Sequence, residues 1–93
     1  MTRIIVKQIV WDAFNIEHIK KHKVRQEEIT VSIKNTAYHR HAHHGRYLMV
    51  GRSGKRIITV IIRRKKLTTY YLVTARDANK KERRDVYEKE SKI

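Results

Sequence analysis

The spacing of apolar residues changes along this chain, and each change marks an element. Over residues 2–11 apolar and polar positions alternate imperfectly, with Ile4, Val6, Ile9 and Trp11 apolar, which predicts a first strand. Asp12 follows. Its side-chain oxygen can accept a free amide of a first helical turn, so a helix is expected from there to about Lys21. Phe14, His18 and His22 recur at every fourth position and share one face, with Asn15 and Ile19 beside them. Lys23-Val24 breaks the pattern. A second helix is expected from Arg25 or Gln26 to Lys34, burying Ile29 and Ile33, with Glu27 and Glu28 near its positive end.

Residues 35–45 read as a polar, histidine-rich loop. Three strands are expected after it. The first covers residues 46–51 and ends in a tight Ser53-Gly54 turn. The second, residues 56–63, is apolar on both faces and so reads as a central strand covered on both sides. Arg63-Arg64-Lys65-Lys66 makes a basic turn into the third, residues 67–73, rich in Thr and Tyr. After Thr74-Ala75-Arg76, either Asp77 or Asn79 can cap a last helix running to about Glu90. The order β-α-α-β-β-β-α describes a single α+β domain over residues 1–93, built around a mostly antiparallel four-stranded sheet.

Size and composition narrow what such a domain can do. A chain of 93 residues hides about two-thirds of its unfolded surface, which supports one modest core. An open groove or face is therefore expected rather than a deep cavity. There is no cysteine, which excludes thiolate chemistry and cysteine zinc sites. The first residues are too quickly charged for a secretory signal, and the longest apolar run, residues 57–62, is far below a membrane span. A soluble cytoplasmic protein is expected. The 23 Lys and Arg against 9 Asp and Glu give a formal net charge of +14. Self-repulsion of that size usually serves an electrostatic partner. Nucleic acid is the first candidate, because phosphates neutralised by cations release counterions. An anionic membrane surface or a merely solubilising surface are the other readings.

Three groups of residues could carry chemistry. Tyr70, Tyr71, Arg76, Arg83, Arg84 and Tyr87 form a basic and aromatic set, with Arg83 and Tyr87 on one helix face. Guanidinium groups can clamp phosphate, and tyrosines can stack on bases or move protons, so this set suits RNA binding and stabilisation of a phosphorane. The alternative is a solvated helix with the Tyr87 ring packed on the sheet. His18 and His22 lack a carboxylate at matched spacing to complete a metal site. His18 is expected to half-pack on the sheet, while His22, beside Lys20, Lys21 and Lys23, could serve as general acid or base. His39, His41 and His43 would lie on one side of an extended segment, but a mobile solvated loop is expected there. With so few carboxylates, a nuclease of this composition must work without metal or other cofactor, with the RNA 2′-hydroxyl as nucleophile.

These residues also resemble a known family. Trp11-Asp12, Asn15-Ile16-Glu17-His18-Ile19, Lys21-His22 and Val24 with Glu27-Glu28 are similar to the opening of BrnT family toxins. Gly45-Arg46-Tyr47-Leu48, Gly51-Arg52 and Gly54-Lys55-Arg56 resemble that family's hairpin. Val73-Thr74-Ala75-Arg76-Asp77-Ala78, Glu82-Arg83-Arg84 and Tyr87 resemble its ending. The resemblance implies a RelE-like fold and the ribonuclease toxin of a type II toxin–antitoxin pair. The implied partners are RNA and a small DNA-binding antitoxin in a hetero-oligomer. His22, Arg76, Glu82, Arg83 and Tyr87 become the catalytic candidates. Lys21, Arg46, Arg52 and Arg84 become the RNA-binding candidates. Trp11 and Asp12 are expected to serve the fold. The family often has Gly after the histidine of the first helix, where this chain has Lys23. If that position is left-handed, the departure costs on the order of 1 kcal/mol.

Overall fold

The computed structural model describes residues 4–92. Its elements are β1 (Gln8–Val10), α1 (Ala13–Lys21), α2 (Gln26–Lys34), β2 (Thr36–Ala42), a 3₁₀ turn (His43–Gly45), β3 (Arg46–Ser53), β4 (Arg56–Arg64), β5 (Thr69–Asp77) and α3 (Lys80–Ser91). They form one sheet in the order β1-β5-β4-β3-β2. Every pairing is antiparallel except β1 with β5, which is parallel. The fold is thus α+β with a mostly antiparallel sheet, as expected, but with five strands where four were expected. No helix among the described residues is long and apolar enough to cross a membrane.

The extra strand corrects the reading of residues 35–45. They form the edge strand β2 and the 3₁₀ turn rather than a loop. Tyr38 and Arg40 pair with Val50 and Leu48 of β3. An edge strand has one side facing water, so it tolerates the polar and charged residues that disguise it in the sequence. The first strand is shorter than expected. Residues 2 and 3 lie outside the described residues, and only Gln8–Val10 pair. Ile4, Val6, Ile9 and Trp11 nevertheless pack against the core. The last strand runs on past residue 73 to Asp77, and Asn79 rather than Asp77 caps α3.

Local chemistry explains the helix starts. The Asp12 carboxylate accepts the Asn15 amide at 2.8 Å, and the Asn15 side chain accepts the Asp12 amide at 2.9 Å. This reciprocal cap satisfies two backbone donors at once. Asn15 is 1% exposed, and its side-chain nitrogen donates to the carbonyls of Val10 and Leu72. One residue therefore starts α1 and pins it to β1 and β5. After α1 the chain turns through Lys23 at φ 57°, so this position is left-handed and a non-glycine residue there carries the steric cost.

β4 is the spine of the domain, buried on both faces. On one face Ile58, Val60 and Ile62 meet Ile19, Val24 and Ile29 of the α1–α2 layer. On the other, Ile57 joins Leu48, Val50, Ala78 and Val86 beneath α3. α2 sits so close to β3 that a Cβ on Gly51 would lie 2.1 Å from the Ser32 carbonyl oxygen. At the end of the sheet near the β3–β4 hairpin, the Arg56 guanidinium donates to Glu28, Asp77 and the Lys23 carbonyl. It ties the α1–α2 turn, α2 and β5 together.

Two substitutions test these backbone constraints in opposite directions. Lys23→Gly should raise stability by about 1 kcal/mol, because glycine adopts the left-handed region without steric cost. Gly51→Ala should lower it by about 1–3 kcal/mol or more, since a helix backbone must move to admit the methyl group. Urea unfolding of both variants against the wild type measures the two effects. A neutral Gly51→Ala would mean that α2 does not pack on β3 as described.

Candidate nucleic-acid interface

The few carboxylates of this chain are mostly committed to internal joints. Glu28 and Asp77 hold Arg56, Glu82 holds Arg76, and Glu90 holds Arg52. Glu17 pairs with Lys20, Glu27 with Arg25 and Asp85 with Lys81 at the surface. Among the described residues, Arg40, Arg46, Arg63, Arg64, Arg83 and Arg84 make no salt bridge. The excess positive charge therefore belongs to particular surfaces.

Strand alternation collects part of it on the α3 face of the sheet. Residues directly paired across strands point to the same side, which gives three rows there. Tyr38, Val50, Thr59 and Arg76 form the first, beside α3. Arg40, Leu48, Ile61 and Thr74 form the second, and Ala42, Arg46, Arg63 and Tyr71 the third. α3 packs on Leu48, Val50 and Ile57, toward the hairpin end. The third row lies outside that apolar cluster, so the sheet is half covered and half open on this side.

A β-bulge completes the open row. The register of β4 with β5 shifts between Ile61 and Ile62, so that Ile62 pairs with Leu72 and Arg63 with Tyr71. Val73 is the extra residue. Were the ladder to run regularly through Val73, Leu72 would face outward opposite Arg63. Because the ladder skips Val73, Leu72 is fully buried in the core and Tyr71 comes onto the open row. The Arg63 guanidinium lies 5.5 Å from the Tyr71 ring centre. The Tyr71 hydroxyl donates to Asp12 at 3.0 Å, and burial together with that carboxylate pushes the phenol pKa up.

At the margin under α3 sits a closed ion pair. Glu82 is 3% exposed. It accepts two bonds from Arg76, one from the Thr59 hydroxyl and one from the Asn79 amide. Burial alone would raise its pKa, but the bonds from Arg76, Asn79 and Thr59 outweigh it and hold the group at about 2. Glu82 is therefore a permanent anion near neutral pH. It positions Arg76, whose side chain is 35% exposed at the edge of the open rows.

The other candidates are placed as follows. Arg46 lies in the open row. Arg83 is exposed on α3 and donates to the Ala78 carbonyl at 2.6 Å, and Arg84 is exposed beside it. Tyr87 is 53% exposed, with the Arg52 guanidinium 5.8 Å from its ring centre. Arg52 is itself paired with Glu90. Lys21 and His22 end α1, in the layer on the opposite face of the sheet, where His22 stacks 5.4 Å from His18. The structure thus brings Arg46, Arg76 and Glu82 onto one face, with Arg83, Arg84, Arg52 and Tyr87 on or against α3. It leaves Lys21 and His22 on the other layer. Tyr70, from the basic and aromatic set, is fully buried in the core. Arg40 and Arg63 were missed because their pairing depends on β2 and the bulge. Among the described residues, no three metal-ligating side chains converge.

The Glu82 joint gives the chain an acid-sensitive lock. A folded pKa of about 2 against the ordinary 4.5 means that its stabilisation is complete above pH 4.5 and is lost as pH falls toward 2. The shift corresponds to roughly 3 kcal/mol. Urea unfolding followed from pH 6 down to about pH 2.5 should show this loss. Glu82→Gln should lower stability at neutral pH and flatten the acid limb. An unchanged acid limb in Glu82→Gln would show that the joint is not the source.

No family model, curated protein or solved structure significantly matches this chain. The geometry and chemistry of the half-open basic face are therefore the basis for assigning a function.

Proposed function

We propose that this chain is an RNA-cleaving toxin of a type II toxin–antitoxin pair, acting in the cytoplasm and held there in a hetero-oligomer with a small DNA-binding antitoxin. The observation that supports it most directly is the open row Arg46–Arg63–Tyr71, with Arg40 beside it and no carboxylate paired to its cations. Arginines on a flat strand surface take phosphates, and an exposed aromatic edge takes a base. The resemblance to BrnT toxins over most of the sequence supports the same reading.

In this reading Arg40, Arg46 and Arg63 bind the RNA backbone, with Arg84, Arg52 and Lys21 as outer contacts. Arg76 and Arg83 hold the scissile phosphate. The 2′-oxygen attacks phosphorus, its proton passes to a base, and the bond from phosphorus to the 5′-oxygen breaks as that oxygen gains a proton. The products are a 2′,3′-cyclic phosphate and a 5′-hydroxyl end. Tyr87 is the nearer proton carrier, since it rides on α3, whereas His22 stands on the far layer. Glu82 acts by fixing Arg76 rather than by moving protons. A second reading, a binding domain without catalysis, is favoured by the closed pairs Arg76–Glu82 and Arg52–Glu90, which occupy two guanidinium groups.

Purified chain free of antitoxin should cleave RNA in EDTA and leave DNA intact. Arg83→Ala is the clean test of electrostatic catalysis, because among the described residues that side chain makes one hydrogen bond, to the Ala78 carbonyl, and no salt bridge. It should slow cleavage about 10²–10³-fold while weakening binding less. Arg76→Ala would strand a buried carboxylate and cost about 3–5 kcal/mol, so its activity must be read beside its stability. Tyr87→Phe tests proton transfer with the ring retained. Tight RNA binding with every substrate left intact, with and without ribosomes and divalent metal, establishes the binding domain instead.

A further inference from the structure

The same alternation that builds the open row builds a second one behind it. Each strand sends neighbouring residues to opposite faces, so Arg46, Arg63 and Tyr71 on the α3 face are backed by Tyr47, Arg64 and Tyr70 on the other. On that side the Arg64 guanidinium lies against two rings that meet edge to face, 5.8 Å from the centre of Tyr47 and 5.5 Å from that of Tyr70. Its Nε and Nη2 donate to the Tyr70 hydroxyl at 3.1 and 2.9 Å. That hydroxyl raises the Arg64 pKa. His41 packs on the far side of Tyr47 at 4.9 Å. The turn that joins the faces adds Lys65 and Lys66, both exposed, with backbone amides tied to the Thr69 carbonyl at 2.9 and 3.1 Å. Their side chains stand on a hydrogen-bonded turn.

We propose that this end of the sheet is a second RNA contact, at which a strand leaving the open row passes around the β4–β5 turn and onto Arg64, Tyr47 and His41. Lys65 and Lys66 take phosphates at the bend, the guanidinium of Arg64 takes the next, and the exposed ring of His41 offers a stacking surface for a base. The internal use of Arg64 fixes its position and leaves Nη1 without a protein partner among the described residues. The turn itself carries no carboxylate, and among the described residues Arg64 makes no salt bridge that would compete with a phosphate. The open row spans three strand spacings, about 14 Å. It is filled by a short oligonucleotide, and only a longer strand reaches the bend. This proposal rests on the RNA reading above and adds to it a dependence on strand length.

The test is fluorescence anisotropy with the full chain and two unstructured RNAs, of about 4 and about 16 nucleotides, across a salt series. Wild type should bind the longer RNA with a steeper dependence of log K on log salt. Lys65→Ser with Lys66→Ser, both on an exposed turn, should lower that slope by about 1.4 for the longer RNA and leave the shorter one unchanged. Adding Arg64→Gln should lower it by about 0.7 more, with thermal melting confirming the fold. Equal losses for both lengths, or none, would overturn the second contact while leaving RNA binding in place. Failure of wild type to bind either RNA overturns both readings. If the variants lose only their binding to poly-glutamate, the turn serves an acidic protein and the proposal fails.

Discussion

A carboxylate taken out of water costs several kcal/mol unless donors replace its hydration. Glu82 is in that position, and its donors come from three separate elements: Thr59 on β4, Arg76 on β5 and the Asn79 amide at the start of α3. The requirement to satisfy one anion fixes where α3 begins, how far it can lie from the sheet, and which way Arg76 points. Val86, one turn further on, then falls on Leu48, Val50 and Ile57. A 12-residue helix anchored at that corner covers the hairpin end of the sheet and leaves the other end bare. The open basic face is in this sense a by-product of where the buried anion sits.

Much of this architecture can be read in the sequence, where the controlling interactions are local. Asp12 and Asn15 stand three residues apart, so their reciprocal cap is visible without tertiary information. Lys23 declares the end of α1 because the pattern breaks there. The double-sided burial of β4 shows as an aliphatic run, residues 57–62, interrupted only by Thr59. What escapes is whatever depends on a partner far along the chain. β2 carries His39, Arg40 and His41, which look like loop residues until β3 is set beside them. The parallel pairing of β1 with β5 joins residues about sixty positions apart and leaves no periodic trace. Among the site residues, Arg46 and Arg76 were legible through the family resemblance, but their separation from Lys21 and His22 by a whole sheet was not. Arg56 bonds three elements at once, and the sequence shows it only as one basic residue among many.

The distribution of charge has a physical logic. Carboxylates are scarce, and they are spent at the joints where a helix meets the sheet or a turn must be held. Glu28 and Asp77 are both drawn below their usual pKa, with Arg25 and Arg56 respectively as the leading partners. The cations left over lie where no joint is needed, on the open strands, on the β4–β5 turn and on the exposed side of α3. Repulsion among them is softened by high-dielectric water and, beyond about 10 Å, by salt, but Arg46 and Arg63 face each other directly across β3 and β4 and still repel. A polyanion lying on those rows would relieve the repulsion and the screening together.

The bulge at Val73 has an implication for how this surface can vary. Val73 adds no charge and no hydrogen-bonding side chain. Its contribution is to stand outside the ladder, so that Leu72 pairs with Ile62 and Tyr71 with Arg63. Substituting it, or removing it altogether, leaves Leu72 inward and Tyr71 outward. Drawing it into a regular ladder opposite Ile62 would turn leucine and tyrosine to the other sides together. The surface and the core are thus written in one shared register at this point. Point mutations can retune the site residue by residue, whereas closing the bulge with its residue retained rewrites both faces in a single step.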